Sequence, residues 1–255
     1  MTDTIVSHFP KDYSVYIEGF GGGASVLFAK EKDKLEIYND LGKNVHSLFK
    51  VLSDKELFER MKEKLDLTYY SADIRKEFIE ELNENKLSLL DRAYKYFYVN
   101  RSSFNGVGGF STTLIVRRNM SKSVSDYLSS IDGLFEIHNR LSSVIIENRD
   151  IFDLIEKYDN ENAFFYLDPP YVHDTRSSGT EYECEMSDSE HEKFVDAVLN
   201  GKGKFLISGY EHPIYDNLVK NGWNLYKYNS PNSNNDKVEC LWYNYGIEGG
   251  LFNEI

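Results

Sequence analysis

Phe164-Phe165-Tyr166-Leu167-Asp168-Pro169-Pro170-Tyr171 takes the chain from an apolar run that starts at Ala163 into a carboxylate, two prolines and a tyrosine. Five consecutive apolar or aromatic residues bounded by a turn signal read as a buried strand. The prolines have no N–H to give a central ladder and a fixed φ, so the strand must end where Asp168 begins. A carboxylate is thereby placed at the carboxyl edge of a sheet, where open α/β sheets hold their ligands.

Working outward, strand signals recur at residues 14–18, 35–38, 143–147, 203–208, 223–228 and 238–244. Helical spacing appears at 24–30, from 54 to 98, and at 189–199. Residues 101–113, RSSFNGVGGFSTT, are rich in glycine, serine and asparagine and read as a loop or hairpin. The order predicts an α/β sheet interrupted after its second strand by a mainly helical lobe.

A chain of 255 residues, 41% apolar, can bury one substantial core, with a second small lobe beside it. No leader-like or membrane-length apolar run is present, so a soluble, cytoplasmic protein with no membrane partner is expected. Cys184 and Cys240 lie far apart with no Cys-x-x-Cys or Cys/His spacing, so reduced thiols and no metal are expected. The net charge of −13 argues against general nucleic-acid affinity, yet residues 86–122 hold seven basic residues against the single acid Asp91. Aromatics are interleaved there: Tyr94, Tyr96, Phe97, Tyr98, Phe104 and Phe110. The segment suits either a phosphate-facing lobe or a solvated helix face whose aromatics form a core.

Glu18-Gly19-Phe20-Gly21-Gly22-Gly23-Ala24 lies between the first strand and the first helix of the sheet pattern. Gly19-x-Gly21-x-x-Ala24 satisfies a loose dinucleotide fingerprint, and Asp40 closes the second strand in Tyr38-Asn39-Asp40. An acid there can accept hydrogen bonds from a ribose diol, which nicotinamide dinucleotides and S-adenosylmethionine share. A tight turn relieved by glycines is the plainer reading. The Asp-Pro-Pro-Tyr edge favours amino-group chemistry. The nitrogen of an exocyclic amine is a poor nucleophile because its lone pair is delocalised into the ring. If the Asp168 carboxylate and the Pro169 carbonyl accept its two hydrogens, the lone pair is directed at an incoming methyl group. Pro169 and Pro170 hold that carbonyl in place, and Tyr171 can stack on the base.

With these features in order, the chain resembles the D12 class of DNA adenine-N6 methyltransferases, the Dam-like enzymes of bacteria and phages. The resemblance covers nearly the whole chain. YIEGFGGGASVLFAK is similar to the family's cofactor loop, IYND to its second-strand acid and YFYVNRSSFNG to its target-recognition lobe. VIIENRDIFDLIEKYD matches the strand and acid before the catalytic motif, FFYLDPPY the motif itself, and VECLWYNY the closing strand. The resemblance implies a Rossmann-like S-adenosylmethionine-dependent sheet formed by residues 1–53 and 136–255, with a DNA-recognition lobe inserted at 54–135. It implies catalytic roles for Asp168, Pro169, Pro170 and Tyr171. Cofactor contacts are implied at Glu18, Phe20, Gly21, Gly22, Gly23, Asp40, Asp150, Ile151 and Asp168, with Asp150 near the cofactor adenine. DNA contacts are implied at Arg101, Asn105, Arg117 and Arg118. The partners would be S-adenosylmethionine and double-stranded DNA whose target base is rotated out of the duplex; a restriction endonuclease is a further candidate partner.

Two departures stand out. The family usually has Glu-Pro-Phe where this chain has Glu18-Gly19-Phe20, and MTDTIVSHFPKDYSV stands where the family opens with a Lys/Trp-x-Gly-Gly-Lys element. A shortened or degenerate copy with weak cofactor affinity is therefore expected. Among other residues, His173, His138 and His191 read as surface or structural. Asp174, Arg176 and Tyr182 fall in a polar run, 172–187, that is either a loop over the extruded base or a plain connector. A nicotinamide-dependent oxidoreductase and a non-catalytic DNA-binding relic are the competing functions. Cytosine N4 and adenine in RNA stay open as targets on the motif alone.

Overall fold

The computed structural model describes residues 1–84, 86–104, 108–172, 184–229 and 238–247. Among them the strands are, in chain order, β1 (Val15–Glu18), β2 (Glu36–Asn39), β3 (Val116–Arg117), β4 (Met120–Ser121), β5 (Val144–Glu147), β6 (Ala163–Leu167), β7 (Lys204–Tyr210), β8 (Asn224–Asn229) and β9 (Val238–Tyr243). The helices are α1 (Thr2–Ser7), α2 (Ser25–Ala29), α3 (Lys43–Ser53), α4 (Lys55–Asp66), α5 (Ala72–Leu82), α6 (Leu89–Arg101), α7 (Lys122–Asp132), α8 (Leu134–Leu141), α9 (Ile151–Tyr158), α10 (Asp188–Leu199) and α11 (Asp216–Lys220). The seven-stranded sheet has the order β5-β2-β1-β6-β7-β9-β8. β2, β1, β6 and β7 run parallel, and β9 is antiparallel to both β7 and β8. This mostly parallel, helix-flanked sheet is the Rossmann-like fold expected of a methyltransferase.

Because successive side chains on a strand point to opposite faces, the register sorts the sheet into two unlike surfaces. Ile17, Ile37, Phe165, Leu167, Phe205, Ile207 and Trp242 join Leu154 of α9 and Phe194 and Val198 of α10 in one apolar core. Phe165 and Phe205 stack at 4.8 Å. Each such side chain contributes about 1.5–3 kcal/mol on burial. The opposite face carries tyrosines and carboxylates: Glu18 stands beside Tyr166, and Tyr210 and Tyr228 flank Glu239. Phe9 packs 4.6 Å from Phe164 and 5.6 Å from Tyr16 on this polar face.

Contacts divide the chain into one unit of residues 1–41 with 147–255 and a second of 42–146. The second unit is wider than the expected 54–135, because α3 packs on α6 and α8 packs on α3. Ser71 and Ser88 cap α5 and α6 through their side chains, which satisfies otherwise orphaned N–H groups. α6 supplies this unit's core: Tyr94, Phe97 and Tyr98 are buried, and Phe78 meets Tyr94 and Tyr98 edge-on at 5.2 Å. Of the aromatics of the basic segment, Tyr94, Phe97 and Tyr98 are thus core, while Tyr96 is half-buried and Phe104 is 64% exposed. Arg92 also leaves the basic surface. It is 3% exposed and donates to Asn44 Oδ1 at 2.8 Å and to the carbonyls of Leu82 and Glu84. The stretch 101–113, expected as a loop or hairpin, carries an antiparallel bridge from Ser103 to Phe110 among its described residues, and a hairpin of two short strands, β3–β4, follows it. It turns at Arg118 and Asn119, whose φ of 52° and 59° fit the mirror-image turn that matches strand twist.

Candidate active site

β1 and β6 are neighbouring parallel strands with Glu18 paired to Tyr166, so the glycine turn and the Asp-Pro-Pro-Tyr turn leave the sheet side by side at the same edge. The glycine turn is bound to the tip of β2. Gly21 N–H donates to the Asn39 carbonyl at 2.8 Å, Gly22 N–H to Asp40 Oδ2 at 2.8 Å, and the Tyr38 hydroxyl to the Gly22 carbonyl at 2.7 Å. A Cβ on Gly21 would lie 2.1 Å from the Tyr38 ring, and Gly22 has φ +48°, so these two positions require glycine. Above Gly22 and Gly23 a Cβ would meet nothing within 4 Å. The turn thus offers open backbone beside a carboxylate, a cradle suited to a ribose-bearing cofactor.

Asn39 ties this turn to the next one. Its amide donates to the carbonyls of Gly19 at 2.9 Å and Arg149 at 3.1 Å and accepts from Arg149 N–H at 2.8 Å. Asp150 follows as the exposed cap of α9, accepting from Phe152 N–H at 2.9 Å. Ile151 is buried below Gly19, and Phe20 meets Phe194 edge-on at 5.9 Å. Glu18 is 2% exposed and accepts from the Tyr16 hydroxyl at 2.6 Å. Burial pushes its carboxyl up to about 8, and the charge of Asp168 adds to the rise.

Asp168 is closely surrounded by protein yet reached by solvent, as a group lining a concavity is. Loss of bulk hydration pushes its carboxyl up to about 6, while Ser208 opposes the rise by donating its hydroxyl to Oδ1 at 2.8 Å. Pro169 and Pro170 are buried. The Tyr171 ring lies 4.4 Å from that of Tyr210, tilted by 31°. Asn39 and Ser208 escaped the sequence reading; a polar residue at the carboxyl end of an otherwise apolar strand was the available signal.

The DNA-contact candidates belong to the other unit. Arg101 closes α6, exposed, with its guanidinium 5.8 Å from the Phe97 ring. Arg117 pairs with Asp126 at 2.9 Å and Arg118 donates to Ser129 at 3.0 Å, both exposed. His138 stacks on Phe58 and His191 is buried against the Tyr215 hydroxyl, both in structural settings. Asn105, His173, Asp174, Arg176 and Tyr182 lie outside the described residues. Among the described residues no helix is long and apolar enough to cross a membrane.

A mostly parallel sheet with a glycine turn and an Asp-Pro-Pro-Tyr edge on adjacent strands defines a Rossmann-like methyltransferase. The comparison with known families is more specific: the chain belongs to the D12 class N6 adenine-specific DNA methyltransferases, whose model matches residues 1–233, and it is an adenine DNA methyltransferase. It is 22% identical over 227 residues to the type II methyltransferase M.CviBI of Paramecium bursaria Chlorella virus NC1A, covering 83% of this chain and 80% of that protein. The type II methyltransferase M.MjaIII of Methanocaldococcus jannaschii is 23% identical over 231 residues, covering 83% and 79%. The modification methylase StsI of Streptococcus sanguinis is 25% identical over 269 residues, which span 96% of this chain and 38% of that longer protein. The oxidoreductase alternative has no place in this family.

Proposed function

We propose that the protein transfers a methyl group from S-adenosylmethionine to N6 of adenine in double-stranded DNA, and that Asp168, Pro169, Pro170 and Tyr171 act on the base. One observation carries this reading: the pairing of β1 with β6 brings the open glycine cradle beside Asp168, so donor and acceptor sites adjoin at one sheet edge. The residues that would hold the cofactor are Glu18, Phe20, Gly21, Gly22, Gly23, Asp40, Asp150 and Ile151. When bound, S-adenosylmethionine supplies an electrophilic methyl group.

The chain's own residues do the rest. Asp168 and the Pro169 carbonyl accept the two amino hydrogens and orient the nitrogen lone pair. Tyr171 offers its ring to the extruded base, and the prolines keep the turn from collapsing toward the sheet. As the nitrogen acquires its fourth substituent its remaining protons become acidic. Asp168, already hydrogen-bonded to one of them, receives that proton and returns it to solvent.

In the helical unit, Arg101, Arg117 and Arg118 are assigned to DNA. The β3–β4 hairpin supports this: Leu114 is fully exposed, Ile115 62% and Val116 73%, next to two arginines, a combination fit for a nucleic-acid groove and costly in water. Tritiated methyl transfer to unmodified DNA tests the reading. The parent incorporates label and Asp168→Ala, still folded and cofactor-binding, does not; equal incorporation by both refutes the role of Asp168. A parent that binds DNA and incorporates no label would favour the non-catalytic relic.

A further inference from the structure

We propose that Ser208, backed by Tyr166, is a positioning residue for methyl transfer, fixing one carboxylate oxygen of Asp168 so that the other is presented to the target amino group. The inference rests on the reading of Asp168 given above and adds residues that the motif does not contain.

Leu167 pairs with Ile207 across β6 and β7, so Asp168, just past the end of β6, stands beside Ser208 within β7. The Ser208 hydroxyl donates to Asp168 Oδ1 at 2.8 Å and lies 3.0 Å from the Tyr166 hydroxyl. An ionised carboxylate can only accept. The Ser208 proton is therefore committed to Asp168, and Tyr166 must be the donor to Ser208. The polarity of the chain is fixed as Tyr166 to Ser208 to Asp168. Ser208 is 5% and Tyr166 4% exposed, so the two hydroxyls that donate are sheltered from water, although the Asp168 carboxylate they serve is reached by solvent. Both sit on strands, whose backbone is held by ladders on each side. A carboxylate otherwise free to rotate about its last torsion is thus clamped at one oxygen.

The surroundings give the clamp a second effect. The charge of Asp168 is felt by Glu18 of β1, Tyr166 of β6, Tyr215 beyond β7, Tyr228 of β8 and Glu239 of β9. Every one of these groups is acidic and none supplies a positive charge. Burial raises the Asp168 carboxyl, and the Ser208 hydrogen bond is what lowers it. Removing the hydroxyl leaves Asp168 both less oriented and harder to ionise.

The experiment compares the parent with Ser208→Ala, Ser208→Thr, Tyr166→Phe and Asp168→Asn. Loss of a hydrogen bond to a charged group predicts that kcat of Ser208→Ala falls roughly ten- to a hundredfold with KM for DNA and cofactor affinity retained. The acid limb of its kcat profile moves to higher pH, because the Asp168 carboxyl rises when its donor is lost. Ser208→Thr keeps a hydroxyl and recovers most of the rate, and Tyr166→Phe shows a smaller loss in the same direction. A ¹³C titration of aspartate carboxyls, with Asp168 assigned by its disappearance in Asp168→Asn, reads the same rise without any turnover. Parent-level kcat in Ser208→Ala together with an unmoved Asp168 titration overturns the proposal. So does equal loss in Ser208→Ala and Ser208→Thr, which marks packing damage. Full activity of Asp168→Asn would instead overturn the reading on which the proposal rests.

Discussion

Glu18 and Asp168 occupy neighbouring strand ends, and the charge of Asp168 makes ionisation of Glu18 harder. The folded state holds the proton of Glu18 up to about 8, against 4.5 for an ordinary glutamate, first through burial and then through Asp168. Across that window the folded chain binds more protons at this site than the unfolded chain does. Stability must therefore fall as pH rises through the window. Glu18→Gln removes the titration, so urea unfolding at about pH 5 and about pH 9 should show the variant gaining a few kcal/mol on the parent at the higher pH. Parallel stabilities at both values would show that Glu18 is ionised at little cost. The same variant should bind S-adenosylmethionine more weakly if Glu18 faces the cationic cofactor as proposed, a trade of function against stability common at such sites. Asp168, with its smaller rise and open access to solvent, contributes less to this trend.

The tip of β2 holds the glycine turn more firmly than the turn's own residues do. Tyr38, Asn39 and Asp40 each bond to it, and Asn39 reaches on to Arg149. Gly21→Ala forces a methyl into the buried Tyr38 ring, and overpacking of this kind costs about 1–3 kcal/mol along with cofactor affinity. Gly23→Ala meets open space, so it should leave the melting temperature unchanged while weakening cofactor binding through the crowded cradle. Melting curves with calorimetry check both; a Gly23→Ala protein with parent affinity would place the cofactor away from this residue. At this scale much was legible in advance. The strand at 163–167 coincides with β6, and the glycine turn and closing acid fall where local pattern put them. Ser208 and Asn39 were not legible as site residues, because the partners that give them meaning lie 40 and 110 residues away. Such pairs are set by sheet order and register, which no local pattern encodes. The helix α3 broke the expected boundary for the same reason: its place follows from packing on α6 rather than from its own sequence.

Over the whole molecule, charge is best read residue by residue, since the net −13 and the seven basic residues of 86–122 both mislead. Arg92 is interior, Lys95 is paired with Glu81, and Arg117 and Lys122 share Asp126. Lys86, Arg101, Arg117 and Arg118 remain exposed, Arg117 through a pairing with Asp126 at the surface, and the last three are those proposed for DNA. Replacing Arg117 and Arg118 together by alanine should lower the slope of log K for DNA against log salt by up to about 2, whereas Arg92→Ala should destabilise the fold by removing a buried side chain and its hydrogen bonds to Asn44, Leu82 and Glu84. An unchanged slope in the first variant would move the DNA surface elsewhere. The central claim is adenine methylation at the edge formed by β1 and β6. Its most direct test is incubation of mixed unmodified genomic DNA with the protein and S-adenosylmethionine, followed by sequencing that reports modified bases. N6-methylated adenines in one sequence context are expected with the parent and not with Asp168→Ala. Methylation of cytosine N4, or the same methylated adenines with Asp168→Ala, would contradict the claim.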